Sequence, residues 1–170
     1  MDGKTLGLDK LAPTVSGLCL NIGSGDHRME GYINIDKFNE NADVNWDAGR
    51  LPLNNCTVAI IQCHQTIEHF GHHEVLSICK EWYRVCKPSG TVHITTPDIL
   101  SSFKMALDNP SEWNLTRIFG NQSHEGQQHK WGFDGTEITT LFSSAGFTSV
   151  ETELYTSSDG STYLYLKATR

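Results

Sequence analysis

The sequence predicts an α/β protein built on an open, mostly parallel sheet that finishes in an antiparallel hairpin. Three observations predict it. An apolar run, Leu18-Cys19-Leu20 with Ile22, passes at once into Gly23-Ser24-Gly25, which reads as a buried strand entering a glycine turn. A continuous apolar run from Val58 to Cys63 has the composition of a central parallel strand buried on both faces. Towards the end, two alternating segments, Ser149 to Leu154 and Thr162 to Lys167, flank Asp159-Gly160 and so form an antiparallel pair.

Length and composition narrow the reading. At 170 residues and 38% hydrophobic, the chain suffices for one domain that buries most of its apolar surface, so 1–170 is read as a single unit. Residues 1–16 have mixed composition and include Pro13, which suggests an N-terminal arm. The formal net charge of -7 argues against nucleic acid as a partner, because neutralising phosphates needs clustered Lys and Arg. Five cysteines (Cys19, Cys56, Cys63, Cys79, Cys86) include no C-x-x-C pair and fall largely on apolar faces, as small buried hydrophobes of a reducing compartment do. No apolar signal run or membrane-length segment is seen, so the expectation is a cytoplasmic protein with no membrane partner.

The elements follow in order. Tyr32 to Ile35 forms a second strand ending on Asp36, and Asp43 to Asp47 a third. Both connections around the second strand are too short for crossover helices, so one face of the sheet should be thinly covered. The N-terminal arm or the second subunit of a homodimer is expected to meet that face. The strand at Val58 delivers His64-Gln65-Thr66-Ile67-Glu68-His69-Phe70 to the carboxyl edge, where open α/β sheets bind ligands. From His72 to Lys87, Val75, Ile78, Cys79, Trp82, Val85 and Cys86 recur at spacings of three and four, predicting a helix that Pro88-Ser89-Gly90 ends. A strand follows over Thr91 to Thr96. Asp98 then caps a helix that Asn109-Pro110 stops, and Ser111 to Phe119 forms another. Beyond a polar loop over Gly120 to Gly132, Asp134-Gly135-Thr136-Glu137 has capping-box spacing for a last helix that Gly146 terminates.

A glycine turn followed by a carboxylate at the tip of the next strand suits a nucleoside-containing cofactor. The glycines let a ligand approach main-chain N–H groups, and Asp36 can accept both hydroxyls of a ribose. A dinucleotide fingerprint is excluded: its third glycine position holds Arg28, and Asp36 comes eleven residues after Gly25 instead of about twenty. His64, Glu68 and His69 lie at the edge of the Val58 strand, with His129 and Trp131 in the polar loop. A titratable group beside an aromatic suits a lid, so Gly120 to Phe133 is expected to close over an acceptor pocket, with His129 as the base and Trp131 as a wall. His64, His69, His72 and His73 lack the H-E-x-x-H or Cys/His spacings of zinc sites, so no metal is expected.

At these residues the sequence resembles the class I S-adenosylmethionine-dependent methyltransferases, in particular the small methyltransferase type 11 group. Leu18 to Asp36 matches the family's strand, G-x-G turn and terminal acid. Asp47-Ala48-Gly49-Arg50-Leu51-Pro52-Leu53 resembles the segment whose acid faces the adenine amine, and His64 to His69 resembles H-x-L-E-H with Ile67 in the Leu position. Glu81-Trp82-Tyr83-Arg84-Val85-Cys86-Lys87-Pro88-Ser89-Gly90 resembles E-x-x-R-V-L-K-P-G-G. The resemblance implies a Rossmann-like sheet and S-adenosyl-L-methionine as cofactor, held by Asn21, Gly23, Ser24, Gly25, Asp36, Lys37, Asp47, Ala48 and His64. It further implies methyl transfer to a small-molecule or sugar/lipid-type acceptor, bound by Glu68, His129 and Trp131 with 98–134 as a substrate-side insertion. His129, His64 and His69 are the candidate catalytic bases. Two departures, Asn21 where the family commonly has an acid and Lys37 where an apolar residue often packs on adenine, open the alternative of a cofactor- or partner-binding module without transfer activity.

Overall fold

The structure, a computed structural model, describes residues 16–170. The chain runs β1 (Leu18–Ile22), β2 (Ile33–Ile35), β3 (Val58–His64), α1 (His72–Val85), β4 (Cys86–Pro97), α2 (Ile99–Asp108), α3 (Glu112–Phe119), α4 (Gly135–Ala145), β5 (Ser149–Thr156) and β6 (Thr162–Thr169), with short 3-10 turns at Ile67–His69 and Glu125–Gln127. The six strands form one sheet in the order β2-β1-β3-β4-β6-β5. The first four pair in parallel, and β6 joins β4 and β5 antiparallel. This is the expected architecture.

Burial explains the composition of each element. Every residue of β1 and β2 is buried, as strands inside a parallel sheet should be. The apolar stripe of α1 (Val75, Ile78, Cys79, Trp82, Val85) packs in one core with Leu20, Ile22, Ile61 and Ile94 of the sheet and Ile138 and Phe142 of α4. Trp82 is fully buried and its indole N–H donates to the Ala48 carbonyl (2.9 Å), so the same residue fills the core and fixes the loop after β2. Burial pushes the thiols of Cys79 and Cys86 up to about 12, as inert core residues.

Four expectations need correction. Asp43 to Asp47 is not a strand: only Val44 pairs, by a single parallel bridge to Ile35. Side chains compete with the ladder there, since the Asp43 carboxylate takes Asn34 N (2.8 Å) and the Asn45 amide donates to the carbonyls of Asp36 and Asn39. The end of α1 comes two residues early as well. The helix ends at Val85, and Cys86 already pairs with Val58 at the start of a β4 that shifts register before Thr91, with Ser89 at φ 63°. Asp134 does cap α4 through Thr136 N and Glu137 N (both 2.8 Å), but Glu137 points away to the Trp131 indole (3.0 Å) and does not complete a capping box.

The fourth concerns exposed apolar surface. The two early connections carry no helix, as expected, yet β1 and β2 are wholly buried. Apart from Phe38 in the connection after β2, the exposed large hydrophobics among the described residues lie elsewhere: Leu100, Phe103 and Leu107 on α2, Trp113, Leu115 and Phe119 on α3, Trp131 in the polar loop, Leu154 and Tyr155 on β5. Apart from Ser16, the arm over 1–16 lies outside the described residues. Among the described residues no helix is long and apolar enough to cross a membrane.

Trp82→Phe would keep most of the apolar volume and leave the buried Ala48 carbonyl without its donor. The expected cost is about 1–3 kcal/mol, read as a lower urea midpoint at unchanged slope. An unchanged midpoint would show that this hydrogen bond does not hold the loop.

Candidate active site

The carboxyl ends of β1, β2 and β3 open onto a cavity of about 1190 Å³. Its walls are the glycine turn at 23–27, Ile35 to Asn41 past β2, Trp46 to Arg50, and His64, Gln65, Thr66, His69 and Phe70 past β3. His124 to Gln127 and Lys130 of the polar loop complete it.

The glycine turn is shaped by two close constraints. Gly23 has φ 68°, and a Cβ there would meet Thr66 Oγ1 at 2.1 Å. Gly25 has φ 47° and open space beside it, so only a glycine leaves that part of the cavity free. The amides do not point where a ligand could use them. Gly23 N and Ser24 N both donate to the Ile35 carbonyl (2.8 and 3.0 Å), and Gly25 N donates to Asp36 Oδ2 (2.9 Å). The turn therefore offers close approach and not the N–H donors expected of it.

Asp36 is held from three sides, since its Oδ1 also accepts from Phe38 N (2.8 Å) and Asn39 N (3.0 Å). A carboxylate has about four acceptor positions, which leaves room for about one further donor on Oδ2. Asp47 accepts from Gly49 N (2.9 Å) and pairs with the Lys37 ammonium at 2.9 Å, which holds its carboxyl below the usual range. Lys37 thus has a partner at the position where adenine packing was in question. Ala48 and Ser24 are buried in the wall.

Asn21, read as a cofactor contact, does not line the cavity. Its amide donates to the His27 carbonyl and to Asn34 Oδ1 (both 2.9 Å), while Asn34 Oδ1 also accepts from Met29 N (2.8 Å) and Asn34 Nδ2 donates to Asp43 (2.9 Å). A donor is required at position 21, because both oxygens it faces are acceptors. That is a physical reason for Asn where an acid is common.

The histidines separate. His64 lines the cavity, but its Nδ1 lies 3.0 Å from Thr95 Oγ1 and its Nε2 3.0 Å from Gln62 Oε1, so both nitrogens are engaged, and burial lowers its pKa. His69 lines this cavity and a second one of about 180 Å³, with Nδ1 3.0 Å from the Gln128 carbonyl. Glu68 and His129 lie on the second cavity alone, beside Thr116 and Arg117. Glu68 is 1% exposed; its Oε2 accepts from Thr96 Oγ1 (3.0 Å), its Oε1 has no hydrogen-bond partner among the described residues, and burial pushes its pKa up to about 7. His129 places Nδ1 3.1 Å from the Arg117 carbonyl and Nε2 4.0 Å from Glu68 Oε1. Burial, with His69 beside it, pulls its pKa down to about 4.

Trp131 walls neither cavity. Its ring packs on His72 (centroids 4.3 Å apart) and its N–H binds Glu137, on the outer side of the site. Lys130 N and Trp131 N both donate to the Glu68 carbonyl (2.8 and 3.2 Å), so the loop is anchored to the turn that carries Glu68. Arg117 gave no signal in the sequence. It is buried because α3 lays its guanidinium over the Tyr163 ring (4.5 Å), a contact between distant segments.

This sheet order, with its antiparallel end and a cavity at the carboxyl edge, defines the class I methyltransferase fold. Residues 28–94 match the family described as methyltransferase domain. Solved structures agree in fold. A S-adenosylmethionine-dependent methyltransferase from Archaeoglobus fulgidus has a TM-score of 0.66 at 14% identity, over 91% of this chain and 86% of that one. One from Methanosarcina mazei scores 0.61 at 16%, over 92% and 93%. The 1,6-didemethyltoxoflavin-N1-methyltransferase of Burkholderia thailandensis, solved with 1,6-didemethyltoxoflavin and S-adenosylhomocysteine bound, scores 0.64 at 14%, over 99% and 74%. A comparison with curated proteins found no match. Together the findings show the fold of class I methyltransferases, with the family match confined to 28–94.

Two outcomes test this geometry. Asn21→Asp, which restores the acid common in the family, should destabilise by about 1–3 kcal/mol, since a carboxylate would face two acceptors in a buried network; thermal unfolding with an equal or higher midpoint would refute the network. Glu68 gives a pH signature. Its folded pKa is raised from an ordinary 4.5 to about 7, so the stability it contributes is present below 4.5 and is lost as pH rises through 7. Glu68→Gln should therefore gain about 2–3 kcal/mol on the parent between pH 5 and pH 8 in urea titrations run with chelator. His129, which loses stability in the opposite sense as pH falls from 6.5 to about 4, is common to both proteins. A pH-independent difference would mean that Glu68 is charged throughout.

Proposed function

We propose that this chain transfers a methyl group from S-adenosylmethionine to a small polar acceptor, a hydroxyl- or amine-bearing molecule that can include a sugar. The observation that carries the reading is the cavity at the carboxyl edge, ringed by the glycine turn, Asp36 and Asp47 and covered by polar residues of the loop. At about 1190 Å³ it has room for a nucleoside cofactor and a compact second molecule, since ligand pockets commonly measure about 300–1,000 Å³. The residues fit the cofactor. Gly25 leaves open space, Asp36 keeps room for a hydroxyl donor, and Asp47 offers a carboxylate to an exocyclic amine. When bound, S-adenosylmethionine supplies an electrophilic methyl group on a sulfonium.

The protein's part is positioning, water exclusion and custody of a proton. His124, Glu125, Gln127 and Lys130 cover the cavity with polar groups, which suits a polar acceptor better than an acyl chain. The 1,6-didemethyltoxoflavin bound in the similar Burkholderia structure supports the same reading. His69 is the histidine common to both cavities, so we read it as the side chain that meets the acceptor, with Glu68 and His129 behind it. His64, with both nitrogens engaged, orients the β3 edge. Segment 98–134 is read as the acceptor side of the protein. Trp131 holds that segment in place from outside.

S-adenosylhomocysteine at about a hundred times its dissociation constant should stabilise by ~2.7 kcal/mol, a rise of roughly 5–10 °C in melting temperature, and NAD should give none. Asp47→Asn should leave the ligand-free melting temperature nearly unchanged, because exposed ion pairs contribute about 0–1 kcal/mol, while shrinking the shift. Equal shifts with both ligands, or none with either, would reject the reading.

A further inference from the structure

We propose that Glu68, His69 and His129 form a binding site for one divalent transition-metal ion of the zinc type at the boundary between the two cavities. The three side chains each present a ligand atom, and these atoms lie within 4.8 Å of one another. Glu68 supplies the independent sign of a missing partner: a carboxylate oxygen, Oε1, buried in a residue 1% exposed, aimed at His129 Nε2 from 4.0 Å and with no hydrogen-bond partner among the described residues. Leaving such an atom unmet is costly, and a cation between the three groups would meet it.

The surroundings resemble those of metal-bearing histidines. Imidazoles that bind metal through one nitrogen commonly donate from the other to a carbonyl or carboxylate, which fixes the ring. Nδ1 of His129 faces the Arg117 carbonyl at 3.1 Å, and Nδ1 of His69 faces the Gln128 carbonyl at 3.0 Å. A zinc ion with bonds of about 2.0–2.1 Å spaces tetrahedral donors by roughly 3.3 Å, so closing the group requires a contraction of up to about 1.5 Å. Glu68 and His69 sit together on the 3-10 turn after β3, and the loop bearing His129 is tied to the Glu68 carbonyl through Lys130 N and Trp131 N, so the backbones are already held together and the contraction falls to side-chain rotation.

Donor chemistry selects the ion. Two imidazoles and one carboxylate suit Zn²⁺, Co²⁺, Fe²⁺ or Ni²⁺, whereas Mg²⁺ and Ca²⁺ prefer oxygen alone. Arg117 and Lys130 bear on the cluster with like charge, and Arg117 is held to Tyr163; a cation kept by charge alone would fare worse here than one bonded to nitrogen. Three protein ligands leave a further position for an acceptor oxygen or nitrogen, because His69 borders both cavities. The adjacent pair Glu68-His69 and a histidine sixty residues later make no spacing motif, so only the fold reveals the group.

Metal binding rests on these three side chains and stands apart from the methyl-transfer reading. The untagged full-length chain, stripped with chelator, is titrated with Co²⁺ and followed by its ligand-field absorption, with Zn²⁺ as competitor. One equivalent should bind, and Glu68→Gln, His69→Ala and His129→Ala should each weaken it about tenfold or more, while His73→Ala, on the exposed start of α1, should not. Circular dichroism and melting verify that each variant is folded, and S-adenosylhomocysteine binding is read separately on the same samples. No stoichiometric binding by the parent, or an affinity unchanged by any one of the three substitutions, overturns the site.

Discussion

The amide pair Asn21–Asn34, buried between β1 and β2, is the contact on which the ligand edge depends. In a parallel sheet each crossover is ordinarily braced by a helix packed on the face, and here neither connection of β2 has one. Side-chain hydrogen bonds replace that packing. From one position Asn34 takes Asn21 and Met29 N on its oxygen and gives to Met29 O, Tyr32 O and Asp43 with its nitrogen. The segment after β1 and the segment after β2 are thereby fixed to each other, and Arg28 completes the tie through its ion pair with Asp43. Asp36 then emerges from β2 in a set direction, with Gly25 N on its carboxylate. A buried network of this kind has value only when every member is satisfied, and at position 21 that calls for a donor facing the His27 carbonyl and Asn34 Oδ1.

Much of the fold was legible because each main element carries its own period. The apolar runs of β1 and β3, the three-and-four spacing of α1 and the Asp134 cap are local signals that tertiary packing reinforces. The failures share one cause. Asp43 to Asp47 alternates like a strand, but Asn45 and Asp43 use their side chains on neighbouring backbone, a choice set by where Asn34 sits. In the site, the cavity walls at Gly25, Asp36, Asp47, Ala48, His64 and His69 could be read from the motif, because strand ends in a parallel sheet converge on one edge. The destinations of the turn's amides, the side on which Trp131 packs and the burial of Arg117 could not, since each depends on partners far away in sequence.

The two departures from the family pattern now have separate local accounts. Asn21 is a donor in a network of acceptors, and Lys37 is the counterion of Asp47. Neither requires a loss of function to explain it. The Lys37–Asp47 pair is exposed on both sides, so its attraction is weak and a ligand amine can compete for the carboxylate at small cost. A departure that would have meant decay, such as a side chain at Gly25 filling the cavity, is absent.

The polar loop finds cover for its aromatic residues without closing on itself. Phe133 is fully buried and pairs in a bridge with Asp98, Trp131 lies against His72, and the backbone at Lys130 and Trp131 is tied to Glu68. At its other end His129 N donates to the Phe119 carbonyl. The stretch between these anchors is held more loosely: His124 packs on Phe38 (5.9 Å), and the backbone hydrogen bonds are short-range ones such as Gln127 N to the His124 carbonyl. That division has a structural consequence. His124 to Gln127 form a part of the wall held by local bonds, while Glu68, His69 and His129 lie on the tethered side. A cluster whose backbone is tied across two segments, beside a wall held only locally, lets a ligand reach the cavity without unpicking the bonds that keep its polar groups together.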